Sequence, residues 1–220
     1  LLPFSLNQAT SFFKKCFENE IRKVEKALKI TEEFRLPDEI GAQNFHPYVL
    51  DVIKAIIESE SEVMSYTSAF SSNLLSARVK SDYIIYRICY REKYYKDRTR
   101  ILDLEVDEQI RFFSYWSIKR RGIIKIENFG REMIDALGKF IDKSTIEAFK
   151  SHPFVQVNKN VISFKYDFFA DYFKSIYISE FIRLSSENKI ITEDFIKILV
   201  ENCWYGSSMV SDIVNRINLW

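Results

Sequence analysis

The stretch Phe164-Lys-Tyr-Asp-Phe-Phe-Ala-Asp-Tyr-Phe-Lys-Ser175 decides how this chain is read. It opens as the end of a strand, Val161-Ile-Ser-Phe164, and passes without a helix breaker into a segment that reads as helix to about Arg183. On that helix Phe169, Tyr172, Phe173 and Ile176 fall at i, i+3, i+4 and i+7, one continuous aromatic and aliphatic face. Core packing alone accounts for each of these residues. A second β-rich run, Pro153-Phe-Val-Gln-Val157, precedes the strand across Asn158-Lys-Asn160, which predicts a hairpin at about 153–164.

Upstream of the hairpin the pattern is helical. A helix over Leu104–Arg120 carries Glu105, Asp107 and Glu108 in its first turn and Lys119, Arg120 and Arg121 at its end, with Gly122 as the stop. That charge order suits the helix dipole and explains the acids without chemistry. Two shorter helices, Gly130–Leu137 and Ser144–Ser151, flank Gly138. Helix, helix, helix, hairpin, helix is the order of a winged helix. Farther upstream, Ser5 or Asn7 caps a helix over Ala9–Phe17 with Phe13, Cys16 and Phe17 on one side. A second helix, Glu20–Phe34, places Ile21, Val24 and Leu28 together, and Leu36-Pro37-Asp38 breaks the chain. Pro47 fits the first turn of a third helix, whose apolar face continues through Leu50, Ile53 and Ile57. The Ser- and Glu-rich run Ser59–Ser72 reads as a connection, and a long helix follows from Ser76 to Thr99. Beyond Arg183, Thr192–Glu201 and Ser207–Asn218 read as amphipathic helices capped by Thr192 and Ser207.

Composition agrees with a folded, mainly helical chain. Of 220 residues 47% are apolar and 15% aromatic, while five Gly and four Pro are too few for a sandwich of many short strands. Thirty-two Lys and Arg against 31 Asp and Glu single out neither nucleic acid nor an anionic membrane as partner. No run of 18 apolar residues is present, so no membrane span is expected. Leu1-Leu-Pro-Phe4 lacks the basic and apolar regions of a signal peptide. Cys16, Cys89 and Cys203, odd in number and far apart, fit reduced thiols, and a cytoplasmic location is expected. His46 and His152 are the only histidines; no Cys or His pair has ligand spacing, and no nucleophile motif can be assembled. His152, before Pro153, reads as a turn residue.

Three segments resemble the STAND-type (NACHT-like) signalling NTPases. Leu1-Leu-Pro-Phe-Ser-Leu-Asn-Gln-Ala-Thr-Ser-Phe-Phe13 is similar to the segment that leaves the nucleotide-binding core for a helical lid. His46-Pro47-Tyr48-Val49-Leu50 looks like the family's Gly-x-Pro element, with Asn44 or Phe45 in place of the glycine. Phe164–Ser175 resembles the strand-to-helix junction closing the family's winged helix, with Tyr166 where the family commonly has a phosphate-contacting His. The resemblance implies a helical lid-like subdomain over 1–75, a winged-helix-like domain over 76–185, and C-terminal helices over 186–220 that open a further helical domain. It implies ATP or ADP with Mg in a longer parent whose NTPase core lies upstream of Leu1, with His46, Pro47 and Tyr166 on the nucleotide side. This chain has no Gly-x-x-x-x-Gly-Lys-Ser/Thr, so no catalysis is expected of it alone. The implied role is regulatory: coupling nucleotide state to rearrangement and to self-association or a protein partner, in signalling or defence.

Two other classes stand beside it. A winged helix can bind nucleic acid, and Tyr83, Tyr86, Tyr90, Tyr94 and Tyr95 interleaved with cations suit single strands. Arg87, Arg91, Lys119 and Arg120 are the candidate contacts of that reading. Against it, Ser144–Ser151 offers one Lys and one Glu, a poor footprint for phosphates. The third class is an all-helical scaffold that binds a protein through the C-terminal helices.

Overall fold

A computed structural model describes residues 4–32, 44–45, 47–58, 80–94, 102–188, 191–203 and 208–217. The expected break at Leu36-Pro37-Asp38, the Ser59–Ser72 connection, His46 and the Ser207 cap lie outside them. The described structure is mainly helical and divides into two compact units, Leu1–Arg87 and Ile88–Trp220.

In the first unit, β1 (Phe4–Ser5) pairs antiparallel with β2 (Asn44–Phe45), Phe4 opposite Phe45. Three helices, α1 (Leu6–Cys16), α2 (Ile21–Thr31) and α3 (Pro47–Glu58), pack on one another. Of the two expected caps it is Ser5 that caps α1, and Asn7 lies inside the helix, which starts at Leu6 and not at Ala9. The Ser5 hydroxyl accepts from Gln8 N at 3.3 Å, while the Gln8 side-chain Oε1 accepts from Ser5 N at 2.8 Å, so two otherwise orphaned N–H groups are satisfied reciprocally. Pro47 opens α3, where its missing N–H costs nothing, and Leu50, Ile53 and Ile57 are buried. The inward face of α2 differs from the expected one. Val24, Ala27 and Thr31 are buried, Leu28 is half-buried, and Ile21 is 71% exposed. Thr31 tolerates burial because its hydroxyl donates to Ala27 O at 2.7 Å, and small Ala27 permits close approach.

The unit boundary falls within α4 (Lys80–Tyr94). In the second unit α5 (Val106–Lys119) is joined to the end of α4 by the buried Gln109 amide, which donates to Cys89 O and Leu104 O at 3.2 and 3.1 Å. Glu108 accepts from Glu105 N at 3.0 Å and pairs with Lys139. Then come β3 (Ile123–Lys125), a 3-10 turn (Ile126–Asn128), α6 (Phe129–Leu137), α7 (Lys143–Lys150), β4 (Val155–Asn158) and β5 (Val161–Phe164). The hairpin stands where it was expected. The third strand, β3, is additional: β5 is central, with Ile124 opposite Ile162 and Ile162 opposite Val157. Asp142 caps α7, accepting from Thr145 N at 2.9 Å, and Gly138 ends α6 in the left-handed conformation, φ 68°.

From β5 the chain enters α8 (Asp167–Asn188), then α9 (Glu193–Asn202) and α10 (Ser208–Ile217). Thr192 caps α9, its hydroxyl accepting from Phe195 N at 3.1 Å. The core of the unit is aromatic. Phe113 lies 4.9 Å from Phe173, 4.8 Å from Phe149 and 5.4 Å from Phe154, centroid to centroid, and Trp116 stacks on Phe164 at 4.5 Å.

Glu108 gives this helix start a pH signature. Burial pushes its carboxyl up, but the hydrogen bonds from Lys139 and Glu105 N outweigh that and hold it below the ordinary glutamate range. A lowered value means stability present above the unfolded pKa and lost as pH falls through the folded one. Glu108→Gln is therefore expected to destabilise at about pH 7, by under ~1 kcal/mol because the pair is partly exposed. The same change relieves Asp107, whose carboxyl is raised by burial and by Glu105 and Glu108, which keeps the net loss small. Urea melts of both proteins at falling pH should converge; a gap that widens in acid contradicts this assignment.

Candidate functional site

The junction between β5 and α8 is the place the sequence marked, and its geometry starts from Phe164. That side chain ends β5 buried, stacked on Trp116 and 5.8 Å from the Phe173 ring. Lys165 N donates to Phe154 O at 2.8 Å, extending the hairpin ladder by one rung. The chain then bends at Tyr166, whose carbonyl accepts from Phe169 N at 3.1 Å to start α8. Phe169, Tyr172 and Phe173 are buried and Ile176 is half-buried, so the predicted face of α8 is the one packed inward. The helix continues past Arg183 to Asn188, because Arg183 forms ion pairs with Glu180 and Glu187 along its surface.

Tyr166 is half-buried, with its ring 5.9 Å from that of Phe169 and Lys165 Nζ 5.7 Å from its centroid. Burial pushes the phenol above its ordinary value, so Tyr166 presents a neutral hydroxyl and no cation. Pro47, the other described residue of the expected nucleotide side, is half-buried at the start of α3 in the first unit.

The same end of β5 meets the end of α5. Arg120 is committed within the protein: its Nη2 lies 2.7 Å from Glu132 Oε1, and the Tyr115 hydroxyl reaches Glu132 Oε2 at 3.4 Å. Glu132 is itself buried on α6, so this triad fastens α6 to α5. Lys119 beside it is exposed. Of the other candidate nucleic-acid contacts, Arg91 is half-buried near the end of α4, and the side chain of Arg87 is outside the described residues. Gln109 joins that part of α4 to the start of α5, whereas Lys119 and Arg120 end α5 ten residues later, about 15 Å along the axis. Arg91 thus stands at one end of α5 and Lys119 at the other.

His152 has more than the turn role that was expected of it. It is in a bend but buried, its ring 4.9 Å from Phe113 and 4.7 Å from Phe154, and Nδ1 accepts from Phe154 N at 3.2 Å. The signal available in sequence was its place between Phe149 and Phe154, two core aromatics. The cysteines are unpaired, and burial raises the thiols of Cys16, Cys89 and Cys203. Among the described residues no helix is long and apolar enough to cross a membrane. No protein-family model, curated protein or solved structure matches this chain.

Proposed function

We propose that this chain is the helical-lid and winged-helix region of a STAND-type NTPase: a regulatory module, not an enzyme by itself, that couples the nucleotide state of an upstream core to domain rearrangement and self-association. One observation carries the reading. The order α5–β3–α6–α7–β4–β5, with β5 central in a small antiparallel sheet, supports a winged-helix reading, and it follows a unit of packed helices. A helical lid and then a winged helix is the succession implied by the resemblance of Phe164–Ser175 to the family's closing junction. Tyr166, at that junction, holds a hydrogen-bonding group where the family has a cation, so nucleotide sensing here relies on a neutral donor. The nucleic-acid reading is the weaker one, since Arg120 is spent on Glu132 and Arg91 stands at the far end of α5.

The test is ATP and ADP binding by the full-length gene product, with and without residues 1–220. Tight binding that weakens on removal of the segment supports a lid, and Tyr166→Phe should then lower ADP affinity about fivefold, the worth of one hydrogen bond. A gene product with no P-loop upstream, or nucleotide affinity indifferent to the deletion, overturns the reading.

A further inference from the structure

The sheet β3–β5–β4 has one face in the aromatic core and the other in solvent. Ile124, Ile162 and Phe164 are buried on the inner face. By strand alternation the outward rows are Ile123–Ser163–Gln156 and Lys125–Val161–Asn158, each trio directly opposite in register. Lys165, whose N–H extends the ladder to Phe154 O, continues the outward side of β5 and is exposed. Lys159 is exposed in the turn between β4 and β5. Ile126 N donates to Asn160 O at 2.9 Å and holds that turn beside the end of β3. Arg121 lies exposed just ahead of β3.

Charge on this face is one-sided. No strand of the sheet carries an acid; Glu127, 4.0 Å from Lys125, and Asp167 lie beyond the strand ends. Arg121, Lys159 and Lys165 form no ion pair with any described residue. Elsewhere in the unit carboxylates engage the cations: Glu132 holds Arg120, Asp171 holds Lys174, and Glu180 and Glu187 hold Arg183. The balanced total charge of the chain conceals this asymmetry. We propose that the outward face of the sheet binds the phosphodiester backbone of a nucleic acid, with Lys125, Lys159 and Lys165 contacting phosphates. Lys125, opposite Val161, and Lys165 stand four residues apart along β5, about 13 Å, room for a few consecutive phosphates. Between the lysines stand Gln156, Asn158 and Ser163, whose side chains donate to phosphate and sugar oxygens. A membrane surface suits the face less well, because anchoring there needs apolar groups to insert and Ile123 is its one largely exposed apolar side chain. None of Arg87, Arg91, Lys119 and Arg120 belongs to this surface, and the inference does not depend on the NTPase role.

Fluorescence anisotropy of the full chain with a labelled oligothymidylate of about 20 nucleotides, between about 50 and 200 mM salt, tests it. The triple change Lys125→Gln, Lys159→Gln, Lys165→Gln should weaken binding at least tenfold and flatten the slope of log K against log salt by about two, the share of three phosphate contacts. The three single variants, each expected to lose about fivefold near 0.1 M salt, carry the test if the triple variant does not fold. Lys197→Gln, which removes an exposed cation from α9, should change affinity less than twofold. No binding by the wild type, or a triple variant that binds as tightly as the wild type, overturns the inference. So does an equal loss in Lys197→Gln, since binding would then follow total charge and not this face. Phosphatidylserine vesicles are the second probe. Vesicle binding that the triple variant loses, with no binding of the oligonucleotide, would make the face a membrane contact and overturn the nucleic-acid assignment.

Discussion

Phe113→Ala is expected to destabilise the second unit by about 3–5 kcal/mol, the cost of emptying a buried aromatic site that cannot collapse. Phe113 is fully buried and touches rings from several elements: Phe149 at the end of α7, Phe154 and Phe164 on the hairpin side, Phe173 on α8, and His152 in the turn between. Several of these neighbours are held elsewhere, Phe164 by Trp116 and Phe154 by Phe169, so they are poorly placed to refill the space. Phe173→Ala on the facing helix should cost a similar amount, and because the two rings are 4.9 Å apart, the double mutant should cost less than the sum. The measurement is the urea midpoint at constant m-value. A loss under about 1 kcal/mol for either single change would mean that α5 and α8 are not packed as described.

That core was legible in the sequence on one side only. The spacing of Phe169, Tyr172 and Phe173 at helical intervals identifies the inward face of α8, since a helix longer than four turns must bury such a face. Helix starts were legible for the same local reason: Ser5, Pro47 and Thr192 act through groups a few residues away. What the sequence hid is non-local. β3 is three residues long, and Ile123-Ile-Lys125 has too few positions to show a period; it is a strand because β5 offers an edge for Ile124 to pair against Ile162. The burial of Thr31 and exposure of Ile21 reverse what side-chain polarity alone implies, because a hydroxyl that donates to its own helix loses little on burial. Arg120, read as a surface cation, is tied to Glu132 from another helix, and spacing within α5 holds no trace of that partner. The candidate site divides in the same way. The Phe164–Phe173 frame around Tyr166 is a local pattern and was visible; the half-buried setting of Tyr166 came only with the packing around it.

Gly122→Ala is expected to cost about 2 kcal/mol or more, and a second glycine shows why. Gly122 ends α5 with φ 74°, its N–H donating to Trp116 O at 3.2 Å, and Arg121 before it is also left-handed, φ 49°. A methyl group there meets two penalties. The left-handed backbone disfavours any Cβ, by ~1–2 kcal/mol. In addition, that Cβ would stand 3.1 Å from Phe164 Cδ2 and 3.8 Å from the Ala170 methyl. Phe164 cannot easily retreat, since its other face is stacked on Trp116. Gly138 has nearly the same backbone, φ 68°, but nothing lies within 4 Å of the position its Cβ would take. Gly138→Ala should therefore incur the backbone penalty alone, roughly 1 kcal/mol, and the difference between the two mutants measures how firmly Phe164 is wedged. Equal losses at the two glycines would show that the ring gives way freely. Unequal losses would mean that the end of α5 and the β5–α8 junction move only together, so any displacement of Tyr166 by a bound group must be carried into α5 through Phe164 and Trp116.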